Sequence, residues 1–136
     1  SVGGIRVRQT IELKVRFAET DLLGHVNNSS YFIYLEEARI AFFKSAFPDK
    51  KTSFVVASVK CDFIQQAFFE QQLRIETKVI KIGTKSFELE HEIKDNNNGE
   101  LIAKGQSIVV HFNFEKQTSE KLTNDMRKQL ENAQHI

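Results

Sequence analysis

The segment from residue 29 to residue 46 constrains the fold most, because it predicts one long helix that is apolar on much of its circumference. Its apolar residues recur at three- and four-residue intervals, which is the spacing of a helical face. Asn28 or Ser29 is the expected N-cap, and Pro48 is the expected stop. The apolar arc consists of Tyr31, Ile33, Tyr34, Leu35, Ala38, Ala41, Phe42, Phe43 and Phe47. Such a helix must be covered on most sides, so the other elements are expected to wrap around it.

Most of the remaining chain predicts β-strands, because it alternates apolar and polar side chains or is rich in Val, Ile, Phe and Thr. The expected strands are residues 9–18, 54–65, 73–82, 86–94 and 101–114. Asn98-Gly99 marks a hairpin between the last two. The last strand has apolar groups on both faces and is expected to be covered on both sides.

The chain ends in a second, shorter helix. Residues 119–133 have apolar side chains at helical spacing, with Ser119 as the expected N-cap. We therefore predict the α+β class: a five-stranded antiparallel sheet wrapped around a long central helix, with a short C-terminal helix. We expect residues 1–136 to form a single domain, with residues 1–8 as a poorly ordered lead-in.

Composition excludes several classes of partner. Nineteen basic and 18 acidic side chains leave a net charge of +1, so no basic excess indicates a nucleic-acid binder. No apolar run approaches the ~20 residues that a membrane span requires, and no leader opens the chain. A cytoplasmic location is expected.

Cys61 is the only cysteine, which excludes an internal disulfide and a multi-cysteine metal site. No metal site is predicted.

Asp21 is the principal candidate for catalysis. It lies in a polar loop between the first strand and the long helix, seven residues before Asn28. A helix start leaves backbone N–H groups without partners and a positive dipole end. A carboxylate that faces such a helix start can form half of a hydrolytic site. The alternative is an Asp that caps a turn by accepting loop N–H groups.

Each neighbour of Asp21 has two possible roles. Gly24 permits a positive φ or a close passage of substrate. Because histidine side chains change charge near neutral pH, His25 is a candidate acid or base, or else it organises the loop. The amides of Asn27 and Asn28 can touch a substrate or form capping and loop bonds. Tyr31, one turn into the helix, lines a pocket or belongs to the core.

Over nearly its whole length the chain resembles the hotdog-fold acyl-CoA thioesterases of the 4-hydroxybenzoyl-CoA thioesterase-like group. The resemblance rests on the element order and on three separated motifs at fixed spacing, namely Asp21, the run Gly24-His25-Val26-Asn27-Asn28, and Tyr31 with Tyr34, Glu36, Glu37, Ala38 and Arg39. It implies an acyl-CoA substrate and a homodimer in which two sheets join edge to edge, often paired into a homotetramer. It also implies active sites shared between subunits.

Thioester hydrolysis requires a nucleophile, stabilisation of the oxyanion and little protonation of the leaving thiolate. One carboxylate can therefore suffice, and Asp21 would either activate water as a general base or attack directly. Backbone N–H groups around Asn28 and Ser29 would stabilise the oxyanion. In some relatives a catalytic His occupies the position of Asn28, so the resemblance does not give His25 that role. No cofactor is expected.

The resemblance also indicates where CoA would bind. In relatives, the segment that corresponds to Gly83-Thr84-Lys85-Ser86 runs near the pantetheine and phosphates, so Thr84, Lys85 and Ser86 are candidate substrate contacts. Lys78 or Lys81 can also meet phosphate, although a hairpin with solvated lysines is the alternative. The chain departs from the family in residues 65–71, where relatives often carry a proline and a glycine-acid turn.

Two other functions fit the same resemblance. A hotdog enoyl-CoA hydratase or dehydratase would need an acid and a base beside an acyl carbon, and only Asp21 and His25 are available in this loop. A non-catalytic acyl-CoA-binding module would keep the fold without the chemistry. The intact Asp21, Gly24 and Asn28 favour the thioesterase over that module.

Overall fold

A computed structural model describes residues 9–48 and 53–134 and confirms the α+β class. Its strands are β1 Gln9–Lys14, β2 Phe54–Phe63, β3 Gln72–Ile82, β4 Ser86–Asp95, β5 Leu101–Asn113 and β6 Thr118–Ser119. Its helices are α1 Asn28–Ala46 and α2 Asn124–Gln134, and a 3₁₀ turn at Phe17–Glu19 follows β1. Among the described residues, no helix is long and apolar enough to cross a membrane.

The sheet is antiparallel, with the strand order β1-β3-β4-β5-β2, and β6 extends it by pairing with the end of β5. Lys14 pairs with Gln72, Leu73 with Asp95 and Phe63 with Ala103. The loop after β1, the end of β2 and the β4–β5 turn therefore share one end of the sheet, which we call the loop end. The β3–β4 turn lies at the opposite end, which we call the hairpin end.

Helix α1 packs closely on the sheet. Gly105 of β5 permits this approach, because a Cβ atom there would lie 2.7 Å from both Cδ atoms of Leu35. On the outer face of α1, Phe32, Ile33 and Ile40 remain exposed. The expectation that α1 is covered on most sides is therefore not met within one chain, since the sheet covers only one face of the helix.

The core beneath α1 consists of two apolar clusters separated by a buried polar layer. Tyr34 and Leu35 belong to the cluster at the loop end, and Phe42 and Phe87 belong to the cluster at the hairpin end. The layer between them contains Arg39 of α1, Thr77 of β3, His91 of β4 and Ser107 of β5. His91 is thus a core histidine whose two ring nitrogens both have hydrogen-bond partners.

Hydrogen bonds connect the residues of this polar layer in a chain. His91 Nδ1 lies 2.9 Å from Thr77 Oγ1, and His91 Nε2 lies 3.1 Å from Ser107 Oγ. The guanidinium of Arg39 donates to Ser107 Oγ over 3.2 Å. Burial, assisted by the positive charge of Arg39, lowers the pKa of His91 to about 3. The imidazole is therefore neutral at ordinary pH.

Several predicted boundaries differ from the structure, among them the start of α1, the end of β1 and the start of α2. The N-cap of α1 is Asn27, one residue before the expected pair. The first strand ends at Lys14 because the chain turns into the 3₁₀ turn at residues 17–19. Ser119 is not an N-cap: it lies in β6, and α2 begins at Asn124 after Thr123, whose Oγ1 accepts the N–H of Met126 over 3.1 Å. The predicted lead-in of residues 1–8 lies outside the described residues.

Candidate active site

A cleft of about 380 Å³ opens at the loop end of the sheet. Three segments meet there: the loop after β1, the first turn of α1 and the end of β2 with the residues that follow it. The lining residues are Asp21, His25, Val26, Asn28, Tyr31, Phe63, Ile64, Gln65 and Gln66. The fold therefore brings four predicted site residues, Asp21, His25, Asn28 and Tyr31, to one cleft.

Asp21 is exposed and closes a tight turn of the loop. Its Oδ1 atom accepts the N–H groups of Leu23 over 2.8 Å and His25 over 3.1 Å. The backbone N–H of Asp21 donates to the carbonyl of His25 over 2.7 Å. The Oδ2 atom has no hydrogen-bond partner among the described residues. One oxygen thus fixes the orientation of the carboxylate, and the other is available in the cleft.

The start of α1 presents donors to the same cleft. Asn27 has extended backbone angles, φ −65° and ψ 143°, and its carbonyl accepts the N–H of Ser30 over 2.9 Å. The N–H groups of Asn28 and Ser29 find no acceptor in the described part of the chain, and both residues are exposed. These are the orphan donors expected in the first turn of a helix.

Glu19, two residues before Asp21, is a buried carboxylate that the sequence reasoning missed. Its carboxylate is buried and accepts the N–H of Arg16 over 2.9 Å, the Arg16 Nε–H over 2.8 Å and the Tyr34 hydroxyl over 2.8 Å. Burial raises the pKa of Glu19, but these hydrogen bonds and the Arg16 charge outweigh it, so the pKa is lowered overall. The signal available in the sequence was Tyr34, because a hydroxyl on the buried face of a helix requires a partner.

The remaining loop residues organise the turn. Gly24 has φ +81°, which explains the glycine, and a Cβ atom there would have no heavy atom within 4 Å. His25 lies with its ring edge-on to Phe68, at a centroid distance of 4.9 Å, and also lines the cleft. The Asn27 side chain donates to the Thr20 carbonyl over 3.3 Å and makes no capping bond. Its loop-bonding role is therefore observed.

Tyr31 belongs both to the core and to the cleft wall. Only 3% of its surface is exposed, and its ring centroid lies 5.3 Å from that of Phe63 and 6.0 Å from that of Tyr34. Burial raises the pKa of Tyr31, so its hydroxyl stays protonated at neutral pH. The two predicted roles of Tyr31 are compatible, because the same ring closes the core and forms the floor of the cleft.

The segment predicted to contact CoA is elsewhere in the chain. Thr84, Lys85 and Ser86 lie in the turn at the hairpin end, where the carbonyls of Thr84 and Lys85 accept the N–H groups of Leu122 and His111 over 2.9 Å each. Within one chain the structure does not bring this turn to Asp21. CoA contact at this segment stays a prediction.

The lysines near this turn include two that are paired with carboxylates. Lys78 lies 3.5 Å from Glu90, and Lys81 lies 3.8 Å from Glu88. Lys85 is exposed at the turn itself. Among the residues that the structure describes, no group of three or more His, Cys, Asp or Glu side chains is arranged to hold a metal ion.

Residues 65–71, where the chain departs from the family, support the loop through the backbone. The carbonyl of Ala67 accepts the N–H of Val26 over 2.8 Å, and the N–H of Phe69 donates to the carbonyl of Gly24 over 3.2 Å. Glu70 takes the positive φ of 68° that a glycine would otherwise supply. The turn therefore forms without the glycine that relatives often carry.

The chain is similar to several known proteins. A Bacillus subtilis protein, YsmA, is 36% identical over 122 residues, which are 88% of this chain and 82% of that protein. The long-chain acyl-CoA thioesterase FadM of Escherichia coli is 26% identical over 125 residues, 88% of this chain and 95% of FadM. A crystal structure of a Thermus thermophilus thioesterase with coenzyme A and zinc has a TM-score of 0.80 and 29% identity, covering 89% of this chain and 95% of that one.

The antiparallel sheet that packs on a long helix, together with these thioesterase relatives, defines a hotdog-fold thioester hydrolase. The sequence pattern of the Thioesterase-like superfamily matches residues 15–130, and the chain belongs to that family. The expected fold, family and enzyme class are thereby confirmed.

Proposed function

We propose that this enzyme is an acyl-CoA thioesterase, with Asp21 as the general base or nucleophile and the N–H groups of Asn28 and Ser29 as the oxyanion donors. The observation that carries the proposal is that the Asp21 carboxylate and the unpaired first turn of α1 share one cleft. The acyl-CoA substrate is supported by the name of FadM and by the coenzyme A in the Thermus structure.

The proposed reaction converts an acyl-CoA and water into a carboxylic acid and CoA. As a general base, Asp21 takes a proton from water while the oxygen attacks the thioester carbonyl. The C–S bond then breaks, and the thiolate leaves with its electron pair and is protonated. In the alternative, Asp21 attacks directly, and water hydrolyses the resulting anhydride. Neither route requires a cofactor, and the proposal includes none.

The free N–H groups support stabilisation of the oxyanion. Negative charge develops on the carbonyl oxygen during attack, and donors that are already oriented need no reorganisation. The positive end of the helix dipole acts in the same direction. Losing one such donor typically costs about 10²- to 10³-fold in rate.

The proposal includes a homodimer or homotetramer with shared sites. β2 lies at one edge of the sheet and pairs only with β5 among the described strands, so its outer edge can accept a second copy. Sharing would also explain how the turn at Thr84, Lys85 and Ser86 contacts CoA, because that turn would come from another subunit. A cytoplasmic location remains part of the proposal.

A panel of acyl-CoAs tests the reaction. Free thiol release is measured with a colorimetric thiol reagent for short, medium, long and aromatic acyl groups, and hydration of an enoyl-CoA is followed by absorbance. We expect thiol release from at least one acyl group and no hydration. Hydration without hydrolysis would favour the hydratase, and binding without either reaction would favour the binding module.

A single turnover in ¹⁸O-water separates the two routes for Asp21. With enzyme in excess over acyl-CoA, a general base delivers ¹⁸O directly to the product acid. In direct attack, water that hydrolyses the mixed anhydride at the Asp21 carboxyl carbon leaves ¹⁸O in Asp21, and the bridging Asp21 oxygen leaves with the product acid; ¹⁸O in the Asp21 peptide therefore identifies this route. Mass spectrometry of the acid and of the peptide that contains Asp21 distinguishes these outcomes.

A further inference from the structure

We propose that Glu19 is a positioning residue, which holds the Asp21 loop in register with the first turn of α1. The inference rests on the proposed function of Asp21, but it concerns a residue that touches neither the cleft nor the reacting atoms. Glu19 lies two residues before Asp21, at the end of the 3₁₀ turn. Its geometry joins the loop to the helix in two separate ways.

The first connection is through the carboxylate. Only 6% of Glu19 is exposed, and its Oε1 atom accepts both the N–H of Arg16 over 2.9 Å and the hydroxyl of Tyr34 over 2.8 Å. Tyr34 is fully buried in α1, two turns from the helix start. The carboxylate therefore ties the loop to a rigid part of the central helix.

The second connection is through the backbone carbonyl of the same residue. It accepts the N–H of Asn27 over 2.8 Å and the hydroxyl of Ser30 over 3.1 Å. These two residues flank Asn28 and Ser29, which supply the proposed oxyanion donors. Glu19 thus fixes the donors on one side and the start of the Asp21 turn on the other.

The hydrogen bonds that Glu19 accepts from Tyr34 and Ser30 are buried, so water does not compete for them. They therefore fix the position of the loop relative to α1. A displacement of about 1 Å in a catalytic group can cost about 10²-fold in rate. Replacing Glu19 by Gln keeps the shape of the side chain but removes the charge that Arg16 stabilises. The loop is then expected to shift relative to α1 while the cleft walls at Tyr31 and Phe63 stay in place.

Steady-state thiol release from the best acyl-CoA tests this role in three variants. We expect Glu19→Gln to lower kcat by about 10- to 100-fold and to leave KM within about threefold. Tyr34→Phe removes one of the hydrogen bonds without adding a charge, and it should lower kcat by a smaller factor. The matched control is Thr77→Val, which removes a buried hydrogen bond to His91 in the polar layer and should leave kcat unchanged.

Amide hydrogen exchange, followed by NMR, distinguishes a local loss of order in the turn from a general loss of stability. The N–H groups of Leu23 and His25 donate to Asp21 Oδ1, so they report the order of the turn. They should exchange faster in Glu19→Gln and Tyr34→Phe than in Thr77→Val, at equal temperature below the unfolding midpoint. If Glu19→Gln does not fold, Tyr34→Phe alone decides the matter.

The outcomes separate this inference from the proposed function. Unchanged kcat together with unchanged exchange of these amides in both variants would overturn the positioning role. A parallel loss of kcat in Thr77→Val would also overturn it, because the effect would then follow stability. If the wild-type chain hydrolyses no acyl-CoA, the proposed function fails, whereas faster exchange in the Glu19 variant would still support the structural link.

Discussion

Helix α1 carries two polar sites that differ in access. Before and at its start, Asp21 and Asn28 line an open cleft, and the N–H groups of Asn28 and Ser29 have no acceptor among the described residues. In its middle, Arg39 joins a sealed layer in which every buried polar side-chain atom has a partner among the described residues. The comparison teaches that the histidine with the strongly lowered pKa is structural, and that the candidate site lies where polar groups remain available.

The largest expected effect concerns the oxyanion donors of the open site. Asn28→Pro removes one N–H at the first position of α1, where proline is well tolerated, and the extended Asn27 suits a following proline. We expect kcat to fall by about 10²- to 10³-fold with the thermal midpoint little changed.

Asn28→Ala is the matched control for this variant, because it keeps the N–H and removes only the side chain. It should retain most of the wild-type kcat in the same thiol-release assay. Equal losses of kcat in the two variants would show that Asn28 acts through its amide side chain and not through its backbone N–H.

The second prediction tests the sealed site through pH. The pKa of His91 is about 3 in the folded chain, against an ordinary value of 6.5, so between these values the unfolded chain binds one more proton. The free energy of unfolding should therefore fall as the pH decreases below about 6.5, by up to about 1.4 kcal/mol per pH unit. Urea unfolding at pH 7, 6 and 5 measures this slope.

His91→Gln is the control for the pH dependence, since it keeps polar atoms in the layer and cannot titrate in this range. Its unfolding free energy should be lower than that of the wild type at pH 7 but nearly constant down to pH 5. A slope equal to that of the wild type would show that other groups cause the dependence.

The smallest expected effect concerns the backbone at the loop end. Glu70 has φ 68°, a conformation that costs a residue with a Cβ atom about 1 kcal/mol or more. Glu70→Gly should raise the free energy of unfolding by about 0.5 kcal/mol, after the greater entropy of unfolded glycine is subtracted. Glu70→Ala controls for loss of the exposed ion pair with Lys14, which measures 3.6 Å, and should give no gain.

The sequence predicted the parts of this molecule that depend on local pattern. The apolar periodicity of residues 29–46 located α1, and the spacing from Asp21 to Asn28 located the open site. Glu19 escaped because its role depends on Tyr34, fifteen residues away, whose orientation only the folded helix defines. The predicted start of α2 was wrong. Ser119 has a side chain that suits an N-cap, but it pairs with Phe112 at the end of β5.

The placement of the predicted CoA segment shows a different limit. Thr84 and Ser86 form the hairpin that their sequence indicates, yet the strand direction puts that hairpin at the far end of the sheet from Asp21. Sequence spacing along one chain does not report which ends of two subunits meet. The outer face of α1 shows the same limit, because the predicted apolar arc included Ile33 but did not indicate what covers it, and the exposed Phe32 and Ile40 lie outside that arc.

The Asp21→Asn variant tests the central claim most directly. The amide keeps an oxygen for the N–H groups of Leu23 and His25, so the turn is preserved while the base is lost. With the best acyl-CoA, we predict that kcat falls by about 10²-fold or more. CoA affinity, measured by calorimetry, should stay unchanged. Undiminished thiol release from the pure variant would contradict the assignment of Asp21 as the catalytic carboxylate.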